Sequence, residues 1–501
     1  MPSRALNGLA AAAVAVGVSE LIAAPLGPRA DALNAVGSAV IDLTPGPVKE
    51  WAISTFGTAD KLFLSISTLA VIVALAAAAG SWETRRRPIG SAVIALAGVA
   101  GCAAILSRPG GGPLDVIPTV AGAACGVVVL RILTTKSTAT EDDSAHDRSR
   151  RLSLAAFGLV VVGALGGVLG AVLSRRLHSV AGERNTAVVP GAITTLPPVP
   201  ADAQPTGVAL PSFITNNADF YRVDTALLVP QVSRRGWRLR IHGMVDREIG
   251  YSWEDLAAFQ VVEKAVTLTC VSNPVGGDLI SNAVWRGYRT RDLLVRAGIH
   301  PEADMVLSTS VDGFTAGTPV QALTDGRDSL LAIAMNGQPL PVEHGYPARL
   351  VVPGLYGYVS ATKWITDLEL TRFDRAQAYW TRLGWSARAP IKTESRIDVP
   401  RSGARVPVGP VTFGGVAWAQ NRGVRAVEVR IDDGPWQQAE LGANYSNDTW
   451  RLWSYRWTAK AGSHTMSVRA TDNTGAVQTS EQTPVMPDGA TGWHTVVFTA
   501  A

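Results

Sequence analysis

The stretch Thr267-Leu-Thr-Cys-Val-Ser-Asn-Pro-Val-Gly-Gly-Asp278 decides how the polar part of this chain folds. Ala265–Cys270 has the β-branched and apolar content of a strand. Asn273-Pro274 and Gly276-Gly277 then punctuate as turns, so Cys270 stands at a strand end just before a tight loop. Downstream, Thr290–Ala297 reads as a short helix ended by Gly298. Upstream, Trp237–Ile241 alternates as a strand and Trp253–Ala258 reads as another short helix. The chain has three cysteines, and Cys102 and Cys125 lie in apolar stretches. Cys270 is therefore alone in the polar half, which a disulfide-stapled domain would not show. A lone cysteine there is a buried small hydrophobe, a nucleophile or a metal ligand.

Outward from this stretch the composition divides the chain. With 501 residues, two to four domains are expected. A mean hydropathy of +0.17 is high for a purely soluble protein. The first 175 residues are rich in Ala, Val, Leu and Gly, while most of the 14 Trp follow Gly236. The net charge of +4 is small for this length and does not point to nucleic acid. Five apolar stretches are long enough to cross a bilayer: about Leu6–Leu26, Leu62–Gly80, Pro88–Leu106, Leu114–Leu133 and Leu152–Leu173. Glu20 lies within the first, as a functional intramembrane acid, a partner of a neighbouring helix or an interfacial residue.

Loop charges set the expected orientation. Arg85-Arg86-Arg87 and the group Lys136, Arg148, Arg150 and Arg151 mark two cytoplasmic loops. The N-terminus is then inside and everything after the fifth helix outside; Arg175 and Arg176 run against this pattern. Ser149-Arg150-Arg151-Leu152-Ser153-Leu154 also resembles a twin-arginine export signal placed inside the chain. The same arginines serve equally as ordinary positive-inside charges. None of the seven histidines lies within an apolar stretch, so no haem is expected in the membrane helices.

The expected organisation is residues 1–177 as transmembrane helices, 178–210 as a Pro-rich linker, 211–388 as an α+β domain and 389–501 as an all-β sandwich. The linker carries Pro190, Pro197, Pro198, Pro200 and Pro205, a composition that is extended and forms little core. In the last region Val427, Val429 and Ile431 alternate with Glu428, Arg430 and Asp432 before an Asp-Asp-Gly-Pro turn. About 110 residues of short strands suit one immunoglobulin-like domain.

With Asn282-Ala-Val-Trp-Arg-Gly-Tyr288 and Asp292-Leu-Leu294 added, the Cys270 stretch resembles the sulfite oxidase-type family of molybdopterin-dependent oxidoreductases, in a membrane-anchored, actinobacterial-like branch. The resemblance covers roughly residues 211–499 and implies that Cys270 is the protein's one ligand to molybdenum. A thiolate suits that task, being soft, electron-donating and deprotonated once bound. A second block, Ala334-Met-Asn-Gly-Gln-Pro-Leu-Pro341 with His344-Gly-Tyr-Pro-Ala-Arg-Leu-Val-Val-Pro-Gly354 and Lys363-Trp364, resembles the family's pterin-binding signature. It implies pterin contacts for His344, Arg349 and Lys363, with Ala361 and Thr362 a backbone stretch beside them. A guanidinium suits the cofactor's phosphate, and an ammonium adds a point charge. Asn217 with Phe220-Tyr221-Arg222 resembles the family's entry motif, and either Ser310 or Asp312 falls at a further pterin contact. The C-terminal region resembles the family's immunoglobulin-like dimerisation domain.

One departure bears on substrate. Sulfite-oxidising members carry a tyrosine over the metal where this chain has Phe314, and the substrate-facing arginine is matched by Val223 with Arg222 one position away. Tyr221 is the first candidate to supply the missing hydroxyl. The resemblance implies two-electron oxygen-atom transfer on a sulfur oxyanion or S-oxide, outside the cytoplasmic membrane. A periplasmic-type sulfoxide reductase is the alternative enzyme, and a cofactor-free binding or scaffold protein on the same fold is the alternative class. The partners implied are a small sulfur compound, membrane lipid, a separate cytochrome or quinone-linked electron carrier, and a second copy through the C-terminal domain.

Overall fold

The computed structural model describes residues 2–56, 60–137 and 145–501 and divides into two compact units. The first unit is helical: α1 (Pro2–Leu26), α2 (Ala32–Leu43), α3 (Gly46–Phe56), α4 (Asp60–Trp82), α5 (Ile89–Leu106), α6 (Ile117–Ser137) and α7 (Ala145–His178). Among the described residues, five helices are long and apolar enough to cross a membrane: α1, α4, α5, α6 and α7. Leu62, Ile66, Leu69, Leu96 and Leu154 stand exposed on their outer faces. Such a surface suits an apolar medium.

Helix α1 is the axis of this unit and packs on α7, α6 and α4. The contacts are close because small residues meet: a Cβ on Gly17 would lie 2.3 Å from the Gly163 carbonyl oxygen, and one on Gly163 would lie 2.4 Å from Ala13. Small residues let helix backbones approach where no hydrophobic drive separates helix from lipid. Glu20 is buried beside Asp31, and Asp31 caps α2 by accepting from Asn34 N–H at 2.9 Å. Of the readings open for Glu20, the structure shows burial against a neighbouring segment. At the end of α4, buried Glu83 accepts from the Ser91 N–H and hydroxyl and pairs with Arg131 of α6. Helices α2 and α3 were not legible as apolar spans, since each is too short. The segment Ala226–Val229 also belongs to this unit, where Lys61 Nζ donates to the Ala226 carbonyl at 2.6 Å.

The second unit holds the rest of the chain from Val180. The Pro-rich stretch is extended, as its composition dictates, but it is no free tether. In α8 (Ala181–Asn185), Arg184 donates to the Leu340 and Pro339 carbonyls and Glu183 accepts from the Ser233 hydroxyl and the Tyr346 hydroxyl; beyond it, Ile193 N–H bonds Val261 O. Extended, proline-punctuated backbone is well suited to run along a strand edge in this way.

The α+β part has two sheets. One is built from β1 (Arg238–Gly243), β2 (Ile249–Ser252), β5 (Met305–Ser310), β6 (Thr315–Pro319) and β10 (Ile365–Thr371), in the order β2-β1-β10-β5-β6. The other takes β3 (Val261–Thr269), β4 (Ile280–Arg289), β7 (Leu330–Met335) and β8 (Gln338–Pro339) in that order, with β9 (Arg349–Val351) also on β7. The predicted helix after β4 is an α-turn, α9 (Thr290–Leu294), continued by a 3-10 turn and ended by Gly298 at φ +69°. A second short helix, α10, spans Val320–Thr324.

The C-terminal region is all β: β11 (Glu394–Val399), β12 (Arg405–Val406), β13 (Gly409–Trp418), β14 (Val424–Ile431), β15 (Gln437–Gln438), β16 (Glu440–Leu441), β17 (Arg451–Ala459), β18 (Gly462–Asp472) and β19 (His494–Ala500). They form two sheets, β11-β13-β17-β16 and β12-β19-β18-β14-β15. Phe413, Val427, Val429, Trp453, Met466 and Phe498 fill the space between them. The first sheet also turns Val416, Trp418 and Leu452 into the core of the α+β part, joined by Trp450 just before β17, so the two regions share apolar contacts.

Candidate cofactor site

Cys270 follows the last residue of β3 and is buried, as the strand-end reading expects. The loop after it is closed by its own groups. Cys270 N–H donates to Leu279 O at 3.0 Å, and Leu279 N–H donates to the Asn273 side chain at 2.9 Å. Gly276 sits at φ +77°, a region that favours glycine. Burial pushes the thiol above its usual range, against the Ser272 N–H and hydroxyl, which favour the thiolate. A buried thiol of this kind is inert by itself and needs a cation or metal to hold it deprotonated.

The second block follows β7 and turns back into β9, which pairs with β7. Gly345, at φ +110°, allows His344, Arg349 and Lys363 to converge: a Cβ there would meet the Arg349 and Lys363 Cβ atoms at 3.0 and 3.1 Å. The Arg349 guanidinium lies 5.0 Å over the fully buried Trp285 ring. Its hydrogen bonds run only to the Leu350, His344 and Ala361 carbonyls, at 3.2–3.4 Å. Among the described residues no carboxylate pairs with it. Burial lowers Arg349 to about 10 and Lys363 to about 8, the latter against the attraction of Asp224. Lys363 Nζ lies 3.3 Å from Asp224 and donates to Glu343 O at 3.0 Å. His344 is pushed down to about 3 by burial, with Lys363 and Arg349 adding to the effect, so its ring is neutral.

Two buried polar atoms here lack a well-formed hydrogen bond, Ser310 Oγ and His344 Nδ1. Buried polar groups are rarely left so. Together with two buried cations that carry a single carboxylate between them, they fit a phosphorylated, hydrogen-bonding heterocycle. Phe220 stacks on Tyr221 at 5.4 Å and meets the His344 ring edge-on, also at 5.4 Å. The Tyr221 hydroxyl lies near Gly357, where an added Cβ would be 3.9 Å from it, and burial holds it well above the usual phenol range.

The other predicted residues fall into place unevenly. Thr362 Oγ1 bonds the Ser308 hydroxyl at 2.7 Å, and the Ala361 carbonyl faces Arg349. Asp312 is raised by burial and accepts from Phe314 N–H at 3.2 Å. Asn217 is already engaged: its Oδ1 accepts from Asn336 at 2.8 Å, its Nδ2 donates to Met335 O, and its carbonyl faces His344 Nε2 at 3.3 Å. It therefore props the pocket floor. Phe314 is half-buried with its ring 6.0 Å from Tyr379. Arg222 pairs with Asp224 at 2.8 Å. Asp224 escaped the sequence reading because a single carboxylate carries no signal until its partner, 139 residues away, is known.

A lone buried thiol, a guanidinium with no paired carboxylate among the described residues and an incompletely satisfied polar cradle on a two-sheet α+β domain suit an anionic ligand. Residues 226–380 match the oxidoreductase molybdopterin binding domain family. The chain is 29% identical to chicken (Gallus gallus) sulfite oxidase over 348 residues, covering 59% of this chain and 75% of that one. It is 36% identical over 152 residues to the uncharacterized oxidoreductase YuiH of Bacillus subtilis, covering 30% of this chain and 73% of YuiH. Mouse and human sulfite oxidases are matched over 58% and 59% of their own length. The fold resembles the crystal structure of the sulfane dehydrogenase SoxCD from Paracoccus pantotrophus, with TM-score 0.51, 23% identity, and 57% of this chain and 83% of that one covered. The chain belongs to the sulfite oxidase-type molybdopterin oxidoreductase family.

Proposed function

We propose that this chain is a membrane-anchored enzyme that carries out two-electron oxygen-atom transfer on a sulfur oxyanion or S-oxide, with its catalytic part outside the cytoplasmic membrane. The observation that carries the reading is the buried Cys270 in a domain that also buries Arg349, which no carboxylate pairs among the described residues, and Lys363, paired with Asp224. When bound, the molybdenum–pterin group supplies the two-electron couple and the site of oxygen exchange. Cys270 would hold the metal. Arg349 and Lys363 would hold the phosphate and pterin, with neutral His344, Ser310 or Asp312, and the 361–362 backbone satisfying the ring edge. The Phe220–Tyr221–Trp285 aromatic group excludes water from these contacts, which strengthens each of them.

Phe314 favours a less charged sulfur substrate than sulfite. A phenyl ring offers no donor to an oxyanion, and burying an unpaired charge costs several kcal/mol. A sulfoxide reductase is therefore the second reading. Sulfite oxidation, the activity for which the vertebrate relatives are named, is the first. The loop charges support an N-terminus inside and the polar half outside, with electrons passing to a separate cytochrome or quinone-linked carrier. A homodimer through the C-terminal sandwich is part of this reading. The test is molybdenum and pterin per chain in the purified full-length protein, followed by assays with sulfite and with methionine and dimethyl sulfoxides. Near-stoichiometric metal with turnover of either substrate class supports it. Absence of metal leaves the scaffold reading.

A further inference from the structure

The loop after Cys270 is rich in turn residues, Asn273-Pro274 and Gly276-Gly277, and its own closing bonds to Leu279 and Asn273 are supplemented from outside. It is gripped on both sides by the C-terminal sandwich. Ahead of Cys270, the outer edge of β3 is capped at Thr267. Its N–H donates to Asp448 O at 2.9 Å, its carbonyl accepts from Gln420 Nε2 at 3.1 Å, and its hydroxyl accepts from Trp450 N–H at 2.8 Å. The same Gln420 amide donates to Thr269 Oγ1 at 2.9 Å, one residue from the thiol. Gln420 is wholly buried. Behind Cys270, Arg396 of β11 donates to Gly277 O at 2.8 Å while Asp398 holds its guanidinium, also at 2.8 Å. His494 of β19 packs its ring against Gly276, where any Cβ would come within 2.3–2.9 Å of it. The ring is oriented in turn, because its Nδ1 accepts from Ile397 N–H at 3.0 Å and so its proton sits on Nε2.

We propose that the C-terminal sandwich is a positioning module for the metal-binding thiolate, with Gln420, Arg396 and His494 as its positioning residues. The inference rests on the reading of Cys270 as the molybdenum ligand. Groups one shell out from a metal ligand orient it, and losing them typically weakens metal retention about 10–100-fold. A sulfur ligand must also be held within roughly 0.5 Å and 10–20° to keep its orbital overlap with the metal. Three contacts, from Gln420 to Thr267, from Arg396 to Gly277 and from His494 to Gly276, reach across 119 to 218 residues of chain to the two flanks of one side chain and meet that requirement.

Two substitutions separate positioning from folding. Gln420→Met keeps the volume and removes both donated bonds. His494→Asn keeps an acceptor for Ile397 N–H and withdraws the ring from Gly276. Phe413→Leu, in the sandwich core away from the loop, is the control for plain destabilisation. The full-length protein is loaded with cofactor and read by molybdenum per chain, by the Mo(V) electron paramagnetic resonance spectrum and by thermal melting. Both test variants should shift the Mo(V) g-anisotropy and lose metal about 10-fold faster on dilution, at a melting temperature no lower than the control's. The control should keep the wild-type spectrum. Spectra unmoved by both variants, or moved equally by the control, overturn this inference alone. A wild-type protein without molybdenum overturns the cofactor reading, and this inference with it.

Discussion

At the scale of single residues, two positions separate what the site must do from what it acts on. Cys270 is the only thiol in the polar half and its burial leaves it poor as a free nucleophile. Cys270→Ser offers a harder, poorer ligand in the same space. Turnover should vanish, by at least about 10³-fold, with circular dichroism and melting temperature unchanged; normal turnover would show that the thiol is structural. Phe314 is the opposite case, an apolar side chain where a hydroxyl is expected in sulfite-oxidising members. Restoring one hydrogen-bond donor at a transition-state site is worth about 10²–10³ in rate when its geometry is right. Phe314→Tyr should raise sulfite turnover by at least about 10-fold and sulfoxide turnover by much less. Equal change in both would show that the ring only packs on Tyr379.

At the scale of elements, the helical unit depends on backbone approach. Gly17→Leu would drive a branched side chain into the Gly163 carbonyl, which lies 2.3 Å from even a Cβ. Helix α1 should separate from α7, and the protein should lose detergent-extracted stability and membrane yield while Gly158→Leu, which has open space, changes little. The start of β19 and the turn at His344 carry a pH dependence. A histidine ordinarily titrates near 6.5, but burial lowers His344 to about 3 and His494 to about 4. Between those values and 6.5 the unfolded chain binds protons that the folded chain refuses. Stability from these rings is therefore full above pH 6.5 and is lost as pH falls toward 4. Arg396 is the charge that faces His494 and opposes its protonation. In cofactor-free protein, the melting-temperature gap between wild type and His494→Asn should shrink from pH 7 to pH 4.5, by about 2–4 °C per kcal/mol. A constant gap would show that His494 is not the group titrating.

At the scale of the whole molecule, the sequence poses a question of export. A domain that folds around a cofactor in the cytoplasm must cross the membrane already folded. The paired guanidinium signal at Arg150-Arg151 would then act on α7 as an internal export element. The Arg150 side chain lies outside the described residues, and Arg151 is exposed at the head of the span. Replacing both arginines by lysine preserves the positive-inside charge and removes the paired guanidinium. The catalytic part should then stay cytoplasmic, as read by protease protection in spheroplasts. Unchanged export would leave the arginines as topology charges alone.

The helices, the strand that delivers Cys270, and the ordered set His344, Arg349 and Lys363 were legible in the chain because their signals are local. Hydrophobic length, strand alternation, turn dipeptides and motif spacing all depend on neighbours along the sequence. The apolar spans therefore matched their helices to within a few residues at most ends, and the short turn after β4 stopped at the expected Gly298. Tertiary structure alone decided the rest. Asp224 meets Lys363, Gln420 meets Thr267, and His494 meets Gly276 across more than 130 residues each. The Pro-rich stretch docks on a strand edge, and the sandwich shares a core with the cofactor-binding part. These pairings are set by which surfaces are left to bury and which polar groups are left to satisfy once the local elements exist. A single sequence records each partner's chemistry but not which partner it will meet.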